Sequence, residues 1–323
     1  MGLFTTLGLR RSNLWDPPTL LDHLLSSPLT FIAIKLYYLV IFLLGRPFSP
    51  PRNREPIRVV SISDTHDQTV SIPPGDILIH AGDLTDAGTA HDIQLQLDWL
   101  KKQPHPVKIV IAGNHDSYFD PRSRKQEDID QASKLDLDGI TYLENSGTVV
   151  EIKGRKLNIF GAPDIPKIGP SSFAFQYPPD EPKWMSQVPP NTDILITHCP
   201  PAHHRDLDLG CPHLLREVWR IKPRLHVFGH IHWGAGSEPV HYDDFQIAYE
   251  RILSLPRRGP ILDFFPNENW YLYGHFLLVG INKLIWEFLV RAPRPQEAGL
   301  MVNAAQMIGN TGKTTSRAVI VDL

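Results

Sequence analysis

Asp64 and His66 in "DTH", Asp83 in "GDLTD", Asn114 and His115 in "GNHD", His198 in "THCPP", and His230 with His232 in "GHIH" form a series of short polar clusters. Their donors are carboxylate and carboxamide oxygens and imidazole nitrogens, with no thiolate. That set suits borderline or fairly hard divalent ions such as Mn, Fe, Zn or Mg. Eight such groups are too many for a single four-coordinate ion, but they suit two ions that share a bridging ligand. The last cluster raises the same idea locally. Residues i and i+2 of a strand share a face, so an extended chain through "LHVFGHIH" aims His230 and His232 at one object.

Each cluster follows a short apolar, β-rich run: "IRVVSIS", "DILIHA", "VKIVIA", "DILIT" and "RLHVF". Open α/β sheets collect their ligands at the carboxyl ends of strands, so these clusters can meet along one edge. Between the second and third runs, Ile93, Leu97 and Leu100 recur at helical spacing, which predicts a crossover helix and hence a parallel sheet. "GTVVEIKGRKLNIFGAP" reads as a hairpin turning at Lys153 and Gly154, "PHLLREVWRI" as a helix, and "RAVIVDL" as a last strand closing a sheet. The expected class is α/β, with mixed sheets and helices outside them.

A length of 323 residues fits one large domain with extensions. A net charge of -3 gives no reason to expect a polyanion partner over the whole surface, so nucleic acid is not expected. The two cysteines, Cys199 and Cys211, have no metal-binding spacing and read as buried thiols in a reducing compartment. Leu29 to Leu44 is almost continuously apolar, with one charge at Lys35. It falls short of the ~18 to 20 residues of a full span, which leaves a short span, an interfacial helix or a domain-capping helix open. Arginines are denser behind it (Arg46, Arg52, Arg54, Arg58) than before it (Arg10, Arg11), which favours a cytoplasmic location for the rest of the chain if the segment spans.

The ordered set DxH, GDxxD, GNH(D/E), H, GHxH resembles the calcineurin-like metallophosphoesterase superfamily. "GLMVNAAQ" and the ending "AVIVDL" are similar to its small metallophosphoesterase-domain subgroup, itself similar to class III cyclic-nucleotide phosphodiesterases. The resemblance covers about Ile57 to Glu250 and the stretch from Met301, and it implies two mixed sheets packed as a sandwich flanked by helices, a four-layer fold. It also implies that Asp64, His66, Asp83 and His232 hold one divalent ion, and that Asp83, Asn114, His198 and His230 hold a second, with Asp83 as the bridge. His115 matches the family's non-ligand histidine, which contacts the phosphate and protonates the leaving oxygen. Asp86, by its motif position, is expected to orient the His115 ring.

The chemistry so implied is attack on phosphorus by a metal-bridging hydroxide, with His115 as general acid. The family's protein phosphatases carry "GDxxDRG", whereas this chain has "GDLTDAG" with Ala87 in place of the phosphate-clamping arginine. The expected substrate is therefore a small phosphodiester such as a cyclic nucleotide. The alternatives are a protein or small-molecule phosphomonoester, or a membrane-attached scaffold with a vestigial metal site. The expected organisation is an N-terminal apolar extension at 1–55, a candidate membrane anchor, followed by the metallophosphoesterase domain at 56–323. Within that domain, an amphipathic insertion at about 255–298 carries Leu277, Ile281, Leu284, Ile285, Phe288 and Leu289 along one side of a helix. The catalytic domain is expected to be intracellular and cytosolic, with the two apolar segments docking to a membrane.

Overall fold

Helices α1 (Leu3–Thr6), α2 (Leu20–Ser26) and α3 (Pro28–Leu44) precede the first strand. Then come β1 (Arg58–Ile62), β2 (Ile77–Ala81), α4 (Ala90–Lys101), β3 (Val107–Ile111), α5 (Gln126–Asp130) and β4 (Thr141–Tyr142). The predicted hairpin is β5 (Ser146–Ile152) and β6 (Arg155–Ala162), and β7 (Ile165–Pro166), β8 (Gln176–Tyr177), β9 (Ile194–Thr197), α6 (Pro212–Ile221) and β10 (Leu225–Phe228) follow. The chain ends with β11 (Gly236–His241), α7 (Asp244–Leu253), α8 (Trp270–Ile285), β12 (Ala298–Asn303) and β13 (Val319–Asp322). This computed structural model describes residues 3–45, 54–132, 134–290, 298–314 and 317–323. They divide into a catalytic unit, Ser49–Glu238 with Leu300–Leu323, and a helical unit, Met1–Phe48 with Pro239–Gly299.

In the catalytic unit, a five-stranded sheet has the order β13-β1-β2-β3-β4. Strands β1 to β4 are parallel, and β13 runs antiparallel to β1 with Val59 opposite Val321. Helix α4 makes the crossover between the parallel strands β2 and β3, and its apolar stripe lies on the sheet. Ile93, Leu97 and Leu100 pack against Val60, Ile62, Leu78 and Val110, and each buried aliphatic side chain contributes roughly 2 kcal/mol. The second sheet has the order β11-β12-β10-β9-β6-β5. Strands β6, β9, β10 and β12 are parallel neighbours, and β5 and β6 pair as a hairpin whose two-residue turn puts Lys153 at φ 50° and Gly154 at φ 70°. The sheets meet face to face at Gly161 of β6, where a Cβ would lie 2.6 Å from Leu143 and 2.8 Å from Ile111.

In the helical unit, α3 starts with Pro28 in its first turn, where a missing N–H costs nothing. Asp263, distant in sequence, accepts hydrogen bonds from the Leu29 N–H at 2.8 Å and the Ser27 hydroxyl at 2.9 Å, so it caps this helix. Tyr37 stacks on Tyr249 of α7 at 3.6 Å between ring centroids and donates its hydroxyl proton to Gln246 at 2.6 Å. Ala33, Val40, Phe245, Ile252 and Phe276 complete the core.

Leu277, Ile281, Ile285, Phe288 and Leu289 of the expected stripe are exposed, Leu284 is partly buried against the core, and Phe276 and Gly280 are buried. Helix α8 is apolar on nearly every side, so spacing alone does not select its buried face. No described helix is long and apolar enough to cross a membrane. Arg46 and Arg52, which entered the orientation reading, and 291–297 of the insertion lie outside the described residues.

Candidate metal centre

Each polar cluster begins where a strand ends: Asp64 and His66 after β1, Asp83 after β2, Asn114 and His115 after β3, His198 after β9, and His230 and His232 after β10. The chain turns sharply there. Asp64 (φ 53°), His66 (φ 44°), Asp83 (φ 52°) and His230 (φ 67°) all adopt the left-handed region, at roughly 1–2 kcal/mol each for a residue with a Cβ. Two glycines leave room for the carboxylates. A Cβ on Gly113 would sit 2.2 Å from an Asp83 oxygen, and one on Gly229 would sit 2.1 Å from an Asp64 oxygen. The carboxylates in turn hold the loops, because Asp83 accepts the His115 N–H at 2.8 Å and Asp64 accepts the His230 N–H at 3.0 Å.

Three sets of ligand atoms converge, each within 4.8 Å: Asp64 with His66 and His232, His66 with Asp83 and His115, and Asp83 with His198 and His230. Asp83 belongs to two of them. Its Oδ2 is 3.3 Å from His198 Nε2 and 3.9 Å from His66 Nε2. His232 Nε2 is 3.4 Å from Asp64, and the Asn114 side-chain oxygen is 3.0 Å from His198 Nε2.

The hydrogen bonds on the far side of each ring decide which nitrogen faces inward. His198 Nδ1–H donates to the Ala81 carbonyl at 2.9 Å and His232 Nδ1–H to the Gly309 carbonyl at 2.6 Å, while His66 Nδ1 lies 2.7 Å from the Asp86 carboxylate. The two bonds leave the Nε2 lone pairs of His198 and His232 pointing inward. His66 and His232 face each other through Nε2 atoms 3.3 Å apart, and His198 Nε2 faces the oxygens of Asn114 and Asp83. Acceptor against acceptor is repulsive unless a proton or a cation lies between them. The donor set therefore fits divalent cations held by oxygen and imidazole nitrogen.

Electrostatics carry the same demand for positive charge. Burial opposes ionisation of Asp64, yet the hydrogen bond and charge of His232 hold its pKa down at about 2. Burial likewise opposes Asp83, and His198 still keeps it well below the usual carboxylate range. Burial disfavours the His198 imidazolium, but Asp83 raises its pKa to about 9. Burial pushes His230 down to about 3. Asp116 is pushed up to about 7 by burial and by the charge of Asp83. Its oxygens accept from the Leu84, Thr85 and Gly113 N–H groups, stitching two of the site loops together.

All seven expected ligands and His115 meet at this one edge. Two expectations are corrected. His230 and His232 do not share a strand face, since β10 stops at Phe228, His230 turns left-handed and His232 opens a 3₁₀ turn, so the two serve different sets. The Asp86 carboxylate lies 2.7 Å from His66 Nδ1 rather than beside His115, and the His115 ring instead donates Nδ1–H to the Asp86 backbone carbonyl at 3.1 Å. His80 is a buried core histidine bonded to the Thr65 hydroxyl at 2.9 Å, and His204 is fully buried with its Nδ1 3.1 Å from Glu238.

Sequence reasoning missed Phe173. Its ring centroid lies 4.8 Å from that of His115, and the next residue anchors it by donating Ala174 N–H to the Asn114 carbonyl at 2.9 Å. Behind it is a cavity of about 210 Å³ lined by Asp120, Arg122, Ser123, Lys167, Ser171 and Gln176. A lone aromatic in a loop carries no pattern that would have revealed it. The carbonyls of Ala81 and Gly309 were equally invisible, since a backbone oxygen is independent of residue type.

Imidazoles and carboxylates gathered at the carboxyl ends of strands from both sheets define a candidate metal-binding site. The chain belongs to the calcineurin-like phosphoesterase family, whose model matches residues 57–234. That family uses divalent metal ions. The chain is 36% identical over 219 residues to human metallophosphoesterase domain-containing protein 1, covering 59% of this chain and 65% of that one. It is 34% identical over 203 residues to UPF0046 protein K07C11.7 of Caenorhabditis elegans, covering 58% and 68%. A match of 38% over 271 residues joins it to a protein of Emericella nidulans named probable rhamnogalacturonate lyase C, covering 83% of this chain but only 24% of that longer protein. Among solved structures, TT1561 of Thermus thermophilus aligns over 57% of this chain and 84% of its own, with 14% identity and a TM-score of 0.41.

Proposed function

We propose that this protein hydrolyses small phosphodiesters with two divalent cations, one held by Asp64, His66, Asp83 and His232 and the other by Asp83, Asn114, His198 and His230. The observation that carries this reading is the dual membership of Asp83, whose carboxylate faces both His66 and His198. When bound, such cations supply an activated water near neutral pH and neutralise phosphate oxygens. The remaining work belongs to the chain. His115 donates Nδ1–H to the Asp86 carbonyl, so its Nε2 is the atom that carries a proton to the leaving alkoxide. An alkyl diester needs that proton more than an aryl ester does, because its alcohol is the poorer leaving group.

Two features support a diester over a phosphoprotein. Ala87 offers no guanidinium clamp. Phe173 beside His115 gives a leaving group with a ring a surface to stack on, and Arg122 and Lys167 at the adjoining cavity suit a further anionic group. The two buried free thiols favour a reducing, intracellular compartment.

The test is turnover of an aryl phosphodiester against the matching monoester after reconstitution with Mn, Zn, Fe or Mg. The diester should be preferred. Asp83→Asn should lower turnover by about a thousandfold or more with loss of bound metal. His115→Ala should retain metal and lose on the order of a hundredfold, more for alkyl than for nitrophenyl leaving groups. Undiminished turnover in both variants sinks the mechanism, and a monoester preference sinks the substrate class.

A further inference from the structure

The helical unit makes up about a third of the chain, yet it holds twenty-six of the thirty-three large apolar side chains exposed among the described residues. Helices α3 and α8 carry many of them. Their inner faces pack with α7 through Tyr37, Phe245, Tyr249 and Phe276. On their outer faces, Phe42 is 80% exposed, Leu278 69%, and Leu289, in the π-helical turn that continues α8, 77%. A soluble helix normally turns charge to the outside. Within their own bounds these two contain no Asp or Glu, the exposed Glu287 lying in the turn that continues α8, and the single cation of α3, Lys35, lies exposed above the Phe31 ring.

We infer that the helical unit docks on the surface of an anionic phospholipid bilayer, with the outer faces of α3 and α8 lying in the interface. Length argues for lying in rather than crossing. Helix α3, with 17 residues, measures about 25 Å, short of the roughly 30 Å hydrocarbon core, and no described helix is long and apolar enough to cross it. Aromatic rings with polar tips suited to headgroup depth, Trp270, Tyr271 and Tyr38, are exposed among the aliphatic residues. Charge selects the lipid. The helical unit has ten Lys and Arg against nine Asp and Glu, whereas the catalytic unit has 22 against 26. The one unit of the protein without a negative balance is thus the one with the apolar faces. Phosphatidylserine headgroups supply an acidic counterpart for the exposed Lys35.

The experiment is sedimentation of the full chain with vesicles of phosphatidylcholine plus phosphatidylserine, and with vesicles of phosphatidylcholine alone. Binding is expected to the mixed vesicles and to be weaker without phosphatidylserine. Phe42→Asp and Leu278→Asp should each reduce the bound fraction on the order of tenfold, and Lys35→Glu less. Because these positions face solvent, melting temperature and hydrolysis of a soluble aryl phosphodiester should not change. Failure to bind either vesicle overturns the proposal. So does a dimer in light scattering that Phe42→Asp dissociates, which would assign the face to a second copy.

Discussion

In the catalytic unit, Asp64, Asp83, Asn114 and His198 are buried almost completely at the ends of strands, where Asp64 and Asp83 turn into the left-handed region. In the helical unit, Phe42 and Leu278 stand in solvent while Tyr37 and Phe276 a turn or so away are buried. One unit buries charge, and the other exposes hydrocarbon. Neither arrangement lowers the free energy of an isolated chain, so each marks a surface shaped for something outside it. For charge, the compensation is a counter-ion of high charge density. For hydrocarbon, it is a medium other than water.

The sharpest way to break the catalytic half of this contrast is Gly229→Ala. Its methyl group would collide with Asp64, so metal binding should vanish while the helical unit keeps its fold, measurable as lost metal content with retained helical circular dichroism. Asp86→Ala removes the carboxylate 2.7 Å from His66 Nδ1, and metal affinity or activity should fall about 10- to 100-fold; an unchanged titration would show that Asp86 does not orient that ring. The pH dependence of stability is a subtler probe. Burial pushes His80 and His226 down to about 3, so the folded state binds their protons less readily than the unfolded chain. The stability they allow is present above about pH 6.5, the ordinary histidine value, and is lost as pH falls toward 3. His226→Leu should flatten that part of a melting curve series. The smallest effect sharpens the other half: Asp263→Ala removes the acceptor of the Leu29 N–H at the start of α3, leaving the Ser27 cap, and should cost about 1 kcal/mol of stability in the helical unit, with kcat on a soluble substrate unaltered.

Much of this architecture was legible in the residue pattern. The runs before the polar clusters became β1, β2, β3, β9 and β10, α4 and α6 formed over the expected stretches, and the hairpin turned at Lys153 and Gly154. Local periodicity and turn chemistry act over a few residues, and these elements depend on little else. The partners of the site side chains were not legible. Asp86 was assigned to His115 because the motifs are read in order, whereas the left-handed turns at His66 and Asp83 bring its carboxylate to His66. The buried face of α8 was not legible either, since a helix apolar on most sides gives no periodic signal of which side is covered.

By itself, the order of amino acids determined which atoms were available: seven side chains with oxygen or nitrogen donors and one further histidine, each set just past a strand that its apolar, β-branched run makes nearly obligatory. It also determined that two further segments were too apolar to be ordinary surface. Only the tertiary structure decided which imidazole lies beside which carboxylate, which ring nitrogen points inward, and which sides of α3 and α8 stay uncovered. Those choices depend on backbone turns and carbonyl groups brought together from distant parts of the chain, and such contacts leave no trace in local residue type.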